Sequence, residues 1–293
     1  MEPYEAERDY SLSEELTAVI RISPDRHSRL VMNLTLGTML SDFPIPLSLA
    51  IYENSNEVSQ FGKGCALSHF LSFADYESSS PVLADFFGEK YYYPQLFCPK
   101  NGTKLIKEGN LLAIEDEDKN RIEYEKGKCL PLFIRQGYHD KDSASGIVHS
   151  FVYGQGGYLS RIDAGDGRCV TLEKQGSDMT SFVIFKNEAG DMVRTVSLYY
   201  DSDGRISKAD ISENIGLVSS YSFIRTPDSI EVRDNIRNVS SRFAIDGEKE
   251  VTGAVRKNGQ NEDVATRLSI VFSSDGFFEE FGNGRKTFHT IFG

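Results

Sequence analysis

Cysteine and histidine side chains at short spacing are the first candidates for chemistry in this sequence. Cys65 and His69 are four residues apart, so on a helix they would share one face and the imidazole would activate the thiol as a nucleophile. On a strand, the same spacing separates them by ~13 Å, which is too far for proton transfer. The spacing alone leaves both interpretations open.

The other histidines do not form a catalytic dyad by sequence. His139-Asp140 and His149-Ser150 are nearest neighbours, and adjacent residues on a strand point to opposite faces. The sequence has no G-x-S-x-G, Walker, H-E-x-x-H or G-x-G-x-x-G motif. Phe61-Gly-Lys-Gly64 is too short for a phosphate loop and predicts a tight turn. A hydrolase would need a site assembled from residues far apart in the chain. We retain this hypothesis beside the scaffold and binding-protein hypotheses given below.

Two further segments resemble ligand sites. Asp201-Ser-Asp-Gly-Arg-Ile206 echoes the centre of a calcium loop, but the first ligand position would fall on Tyr199, so we predict a hairpin turn. Four cysteines without a C-x-x-C pair predict reduced, buried thiols. Phe86-Phe87 and Tyr91-Tyr-Tyr93 offer a stacking platform for a ligand, with core packing as the favoured alternative. We assign no catalytic, metal-binding or cofactor-binding residue.

Composition describes an ordinary globular protein. Of 293 residues, 44 are acidic and 32 basic, which gives a net charge of −12 and argues against nucleic acid as a partner. The apolar runs are too short for a membrane span. The first ten residues are acidic and polar, so we expect no ordinary secretory signal.

The hydrophobic pattern predicts an all-β protein. Short runs of period two alternate with Asp-Gly and Asn-Gly corners, which are strong hairpin signals, and the pattern is typical of a long antiparallel meander forming a curved or coiled sheet. The exception is Ser11–Ile20, where Ser11 and Glu14 resemble a capping box and predict at most one short helix, although Thr17–Ile22 also suits a strand. Seven side chains are expected to pack between layers: Tyr158, Phe182, Ile184, Tyr199, Tyr221, Phe223 and Phe272.

Two regions of the chain, in a fixed order, resemble the Rhs (YD-repeat) family. Tyr199-Tyr-Asp-Ser-Asp-Gly-Arg-Ile206 is similar to its repeat, roughly Tyr-Asp-x-x-Gly-Arg-Leu, and Gly157–Arg168 and Asn283-Gly-Arg285 repeat the glycine-arginine corner. Upstream, Leu34–Leu49 followed by Phe61–Ser68 looks like the family's opening segment. This resemblance covers about residues 20–210, and it implies that Cys65 lies on a strand rather than on a catalytic helix.

The chain also departs from the family. Cys65 stands where the family usually has tryptophan, only one full YD motif is present, and the Asp-Pro-x-Gly signature linked to self-cleavage is absent. We expect no variable toxin domain after the shell segment. The resemblance therefore implies the starting portion of a β-sheet shell that encloses a toxic domain.

These observations give one set of expectations. We expect a tail or short helix over 1–22, an N-terminal β-shell segment over 23–145 and YD-repeat-like hairpins over 146–293. The resemblance implies a non-catalytic scaffold that helps enclose or deliver a toxic domain, located in the bacterial cytoplasm before export by a signal-peptide-independent route. The partner would be a protein: the remaining shell, the toxin domain, or a second copy through sheet edges. The alternative is a stand-alone binding protein that uses the aromatic cluster for a carbohydrate or protein ligand.

The residues expected to form the structural motifs are those of the turns and the repeat corners: Phe61, Gly62, Gly64, Gly167, Arg168, Tyr200, Asp201, Gly204, Arg205, Gly284 and Arg285.

Overall fold

Almost every segment of the described chain is extended. The computed structural model describes residues 6–11, 13–22, 28–39, 45–68, 71–75, 77–78, 80–85, 90–99, 101–125, 130–137, 147–247, 250–259, 261–272 and 276–290. Its helical content in these ranges is two three-residue 3-10 turns, Pro94–Leu96 and Gln155–Gly157. None of the described residues forms a helix long and apolar enough to cross a membrane.

The strands follow one another at short intervals. In chain order they are β1 Ala6–Ser11, β2 Leu16–Ile22, β3 Ser28–Met39, β4 Ile45–Tyr52, β5 Val58–Ser59, β6 Gly62–Lys63, β7 Cys65–Leu67, β8 Leu71–Asp75, β9 Val82–Asp85, β10 Lys90–Tyr92, β11 Phe97–Cys98, β12 Thr103–Glu108, β13 Leu111–Glu115, β14 Arg121–Glu125, β15 Pro131–Arg135, β16 Ile147–Tyr153, β17 Leu159–Ala164, β18 Cys169–Lys174, β19 Thr180–Lys186, β20 Met192–Tyr200, β21 Ile206–Glu213, β22 Gly216–Thr226, β23 Ser229–Asp234, β24 Val239–Ile245, β25 Val251–Asn258, β26 Asn261–Phe272, β27 Gly276–Phe281 and β28 Lys286–Thr290.

The predicted antiparallel meander is confirmed. In the largest sheet of the described residues, eighteen strands, β11 to β28, are ordered in space as they are in sequence. Smaller sheets have the orders β1-β2-β3-β4-β7, β10-β9-β8 and β5-β6. Period-two burial sets the register, as where Phe223 on β22 lies opposite Val232 on β23 and both are buried.

The helix expected over Ser11–Ile20 is wrong. The chain there forms the hairpin β1–β2, with Tyr10 opposite Ala18. Leu16, Ala18 and Ile20 are all fully buried, so tertiary burial at period two outweighs the local capping signal. A serine does organise the turn, but it is Ser13, whose Oγ accepts hydrogen bonds from the amides of the second and third residues after it.

The chain divides into two compact units. The first comprises Met1–Thr35, Leu49–Cys65 and Val196–Gly293, and the second comprises Leu36–Ser48 and Ala66–Thr195. In the first, the largest fully buried side chains include Phe61, Tyr221, Phe243 and Phe277. In the second, one core cluster contains Leu83, Tyr93, Cys98, Leu105, Leu112 and Tyr124. The segment boundaries expected at 22 and 145 stay predictions.

Most of the expected inward-facing side chains are at least partly buried, with one error. Tyr221, Phe223 and Ile184 are buried, and Tyr158 and Phe182 are half-buried. The side chain of Phe272 is outside the described part of the structure. Tyr199, however, is 47% exposed, because its neighbour Leu198 takes the inward face of β20. The Tyr199 ring instead lies under the ammonium group of Lys208, 5.3 Å from the ring centroid.

Candidate functional site

The first compact unit brings together the two segments that carried the family resemblance. The amide of Lys63, within Phe61–Gly64, donates to the carbonyl of Gly204 at 2.9 Å. The Lys63 ammonium group also pairs with Asp203 at 2.9 Å. Two segments about 140 residues apart in sequence therefore meet through both backbone and side chain. We call this meeting point the corner junction; it contains residues 53–64, 200–206 and 225.

Two glycines make this close approach possible. Gly62 has φ +94°, and a Cβ there would lie 2.5 Å from the Gly204 carbonyl oxygen and 2.8 Å from the Tyr200 ring. Gly64 has φ +69°, and a Cβ there would lie 2.5 Å from the Tyr52 carbonyl oxygen. Both positions therefore exclude side chains by backbone conformation and by space. The tight turn predicted over Phe61–Gly64 lies at Gln60 and Phe61 instead, because Gly62–Lys63 forms strand β6 and pairs with β5. The Phe61 side chain is fully buried.

Asp201 shapes the opposing corner. Its Oδ1 accepts hydrogen bonds from the amides of Asp203 and Arg205, both at 2.9 Å, while the amide of Gly204 donates to the Asp201 carbonyl at 3.1 Å. The carboxylate is thus used within the turn, and the hairpin interpretation of this segment is confirmed. Among the described residues, no group of three or more His, Cys, Asp or Glu side chains is arranged to hold a metal ion.

Arg205 is buried at the centre of the junction. It is only 3% exposed, and its Nη2 donates to the Ser55 carbonyl at 2.8 Å. Its Nη1 is also buried and lies 2.9 Å from the position a Gly64 Cβ would occupy. The arginine of the YD-like motif therefore fills the space that the missing side chain of Gly64 leaves open.

A second arginine completes the network. Arg225 on β22 binds Glu53 through two parallel bonds of 2.8 and 2.7 Å, and its Nη1 donates to the Ile206 carbonyl at 2.8 Å. Glu53 is 3% exposed, so its charge is shielded from water and neutralised by this pair. Burial acts to lower the pKa of Arg225, but the hydrogen bonds and charge of Glu53, with a contribution from Asp201, hold that pKa above its ordinary value.

Cys65 lies beside this charge pair as an inert thiol. It is fully buried on β7, as the resemblance implied for a strand. Burial, followed by the charge of Glu53, raises the pKa of the Cys65 thiol far above its ordinary value, so the nucleophilic thiolate is not formed at neutral pH. His69 is outside the described residues. Cys98 and Cys169 are also buried and free, in agreement with the prediction, whereas Cys129 is not described.

A cleft of about 250 Å³ lies next to the junction, and its polar lining belongs to the network itself. It is lined by Glu53, Asp201, Asp203, Arg205, Arg225, Thr226, Ile230 and Ile245. Its arginines bind a carboxylate and two backbone carbonyls. The arrangement fixes three chain segments to one another.

The other two glycine-arginine corners lack this environment. Gly167, Gly204 and Gly284 have φ values of 94°, 77° and 85°, which confirms the predicted left-handed tip positions. Arg168, however, is partly exposed and pairs with Glu188 on the surface of the second unit. Arg285 is exposed and lies over the Phe281 ring.

The sequence reasoning missed Glu53 and Arg225. Neither residue belongs to a motif that the sequence pattern identifies. One signal was available: Tyr221, Phe223 and Arg225 alternate along β22, so the arginine continues an inward-facing apolar stripe. A charged residue at such a position requires a buried partner.

The remaining candidate residues that the structure describes do not converge. His149 is buried on β16, and its neighbour Ser150 lies on the opposite face of the strand. His139-Asp140 and Phe86-Phe87 are outside the described residues. The aromatic cluster is divided: Tyr93 belongs to the core, whereas Tyr92 and Phe97 are more than two-fifths exposed.

Comparison with known proteins does not assign the chain. No protein-family model matches it, and no curated protein matches it. Among solved structures, BamB from Moraxella catarrhalis is 8% identical with a TM-score of 0.16, covering 99% of this chain and 95% of that one. YCF48 from Cyanidioschyzon merolae is 9% identical with a TM-score of 0.13, covering 99% and 97% respectively. At such TM-scores neither likeness carries an argument about fold or function.

Proposed function

We propose that the chain is a non-catalytic structural module, a segment of antiparallel β-wall that helps enclose, present or deliver a toxic protein domain. The observation that carries the proposal is the corner junction. There the YD-like motif and the opening segment that resemble the Rhs family bind each other, and the charged groups of the junction are used internally to join strands.

An exposed apolar ladder supports the protein-partner part of the proposal. Val271, Phe278 and Phe288 lie opposite one another on β26, β27 and β28, and each is more than one-third exposed. The rings of Phe278 and Phe288 are in contact, with centroids 4.7 Å apart. A continuous apolar strip of this kind, on strands next to a sheet edge, favours contact with another protein surface over contact with water.

The test is co-expression with the product of the adjacent coding region, followed by pull-down and light scattering on the purified complex. We expect a stoichiometric complex with that product, and we expect F288E to abolish it. I215E is the matched control, because Ile215 is 90% exposed in a turn and belongs to no ladder. A soluble, monomeric chain without that partner would overturn the proposal, as would equal binding by F288E.

The second candidate is a binding protein that uses exposed aromatic side chains of the second unit. Tyr92 and Phe97 are available there for stacking on a carbohydrate or a peptide. A glycan array probed with the whole chain tests it. If the candidate is correct, the chain should bind specific glycans on the array, and Y92A should abolish that binding. If the chain binds no glycan, carbohydrate is rejected as the ligand.

A further inference from the structure

A second cleft, outside the corner junction, is lined by two arginines. It has a volume of about 260 Å³, which is ample for a polyatomic ion, and it lies on strands β24, β25 and β26 of the first unit. Its lining residues are Arg242, Ala244, Thr252, Gly253, Ala254, Val255, Arg267, Leu268 and Ser269.

A large bulge forms the cleft. Ala254 lies opposite Leu268, but the next pair in register is Arg256 opposite Asp263. In backbone register, Val255 of β25 is therefore the single residue between these two pairs, whereas β26 has residues 264–267 there. The regular strand pairing is interrupted at that point. Bulges of this kind redirect side chains and are found next to functional sites.

A glycine keeps the middle of the cleft free of side chains. Gly253 lies opposite Ala244 on one side and Ser269 on the other. A Cβ at Gly253 would lie 2.6 Å from the Leu268 carbonyl oxygen, and that backbone atom has no freedom to move aside. Any larger residue at position 253 would therefore collide with the backbone of β26.

The charge at this cleft is opposite to that of the protein. Arg242, Lys257 and Arg267 surround the Glu262 carboxylate at 3.2, 3.9 and 2.6 Å. A second carboxylate, Glu231, lies opposite Arg242 on β23 and is paired with Arg233. The hydrogen bond from Arg267 holds the pKa of Glu262 below its ordinary value. Slight burial acts to raise this pKa, and the charges of Arg242 and Lys257 act to lower it. The four cations Arg233, Arg242, Lys257 and Arg267, against the two carboxylates, leave two positive charges, on a chain whose net charge is −12.

The two guanidinium groups retain donors for a ligand. Each arginine has five N–H donors, and each gives one hydrogen bond to Glu262, at 3.2 Å from Arg242 and 2.6 Å from Arg267. Both side chains are about half-exposed, so the remaining donors are accessible from solvent. Guanidinium groups match the geometry of phosphate and carboxylate oxygens.

We propose that this cleft binds a compact oxyanion of the phosphate class between Arg242 and Arg267, with Glu262 occupying the arginines when the ligand is absent. This site is independent of the structural role proposed above. Its size selects a small ion, and the competing carboxylate makes affinity depend on displacement of Glu262.

Calorimetric titration of the whole chain with inorganic phosphate, at constant ionic strength and neutral pH, tests the site. We expect saturable binding with one phosphate per chain. R267Q and R242Q should each weaken it about tenfold or more, because each removes a charged donor. E262Q should tighten binding several-fold, because it removes the internal competitor.

R161Q is the matched control. Arg161 is similarly exposed, also binds a carboxylate, Asp163, and lies in the second unit, outside the cleft, so this variant should bind phosphate as the unmodified chain does. Circular dichroism establishes that each variant is folded. The proposal is overturned if the unmodified chain shows no saturable binding, if R267Q binds with undiminished affinity, or if E262Q binds more weakly.

Discussion

Replacing Arg225 by methionine is the sharpest test of the corner junction. The substitution keeps most of the apolar stem of the side chain but leaves the Glu53 carboxylate, 3% exposed, without its two hydrogen bonds. It also leaves the Ile206 carbonyl without its donor. Stranding one partner of a buried ion pair costs about 3–5 kcal/mol, so we expect the free energy of unfolding to fall by that amount.

The assay is urea unfolding of the whole chain followed by far-UV circular dichroism, with hydrogen exchange as a local probe. Because the chain has no tryptophan and divides into two compact units, a single optical probe does not establish a two-state transition. Hydrogen exchange resolved by peptide assigns the loss. We expect faster exchange in β21 and β22, with the peptides of β12 to β14 unchanged.

A matched substitution and a double variant decide the interpretation. R233M breaks a partly exposed arginine–glutamate pair and should cost about 1 kcal/mol or less. Combining R225M with E53Q removes the stranded charge and should recover a substantial part of the loss. The junction is not held by this charge pair if R225M lowers the free energy of unfolding no more than R233M does. The same conclusion follows if the losses caused by R225M and E53Q simply add in the double variant.

Three further outcomes follow from the geometry. G64A should cost about 2–5 kcal/mol, from backbone strain and overpacking, whereas G284A, at a similar φ but with open space around it, should cost about 1–2 kcal/mol; equal urea midpoints would contradict the packing argument. Cys65 should resist alkylation at pH 8 in the folded chain and react only after unfolding, as followed by peptide mass spectrometry; rapid labelling under native conditions would contradict its burial. Burial acts to raise the pKa of Glu115, but the hydrogen bonds from Arg121 and Lys119 hold this pKa below its ordinary value of 4.5. The stability that Glu115 contributes to the fold is therefore fully present above pH 4.5 and is lost as the pH falls through the lower folded-state pKa. E115Q should flatten this acid dependence in urea titrations at pH 3–6, and an unchanged slope would contradict the assignment.

The parts of the fold that were predictable are those with local causes. Asp-Gly and Asn-Gly corners tolerate positive φ, so the tips at Gly167, Gly204 and Gly284 followed from two or three residues each. The meander followed from hairpins repeated along the chain, because each strand pairs with its sequence neighbour. Local reasoning failed at Ser11–Ile20, where a capping signature was present but burial of alternate residues decided the structure.

The junction was not predictable in the same way, because its contacts are not local. Glu53 and Arg225 are 172 residues apart, and nothing near either residue indicates the other. The alternation of side chains along β22 indicates that Arg225 faces inward with Tyr221 and Phe223. It does not indicate which acidic residue neutralises the arginine. The resemblance named both segments at the junction, yet their contact required the structure.

The three glycine-arginine corners show that the motif does not determine its own role. All three glycines adopt the left-handed conformation, so the turn is intrinsic to the sequence. Arg168 and Arg285 nevertheless remain at the surface, and only Arg205 is buried, where the Ser55 carbonyl accepts its hydrogen bond and Gly64 leaves room for its guanidinium group. That hydrogen bond satisfies one part of the buried guanidinium group, whereas its Nη1 has no hydrogen-bond partner among the described residues. The partner segment, rather than the corner itself, therefore converts a surface turn into a structural joint.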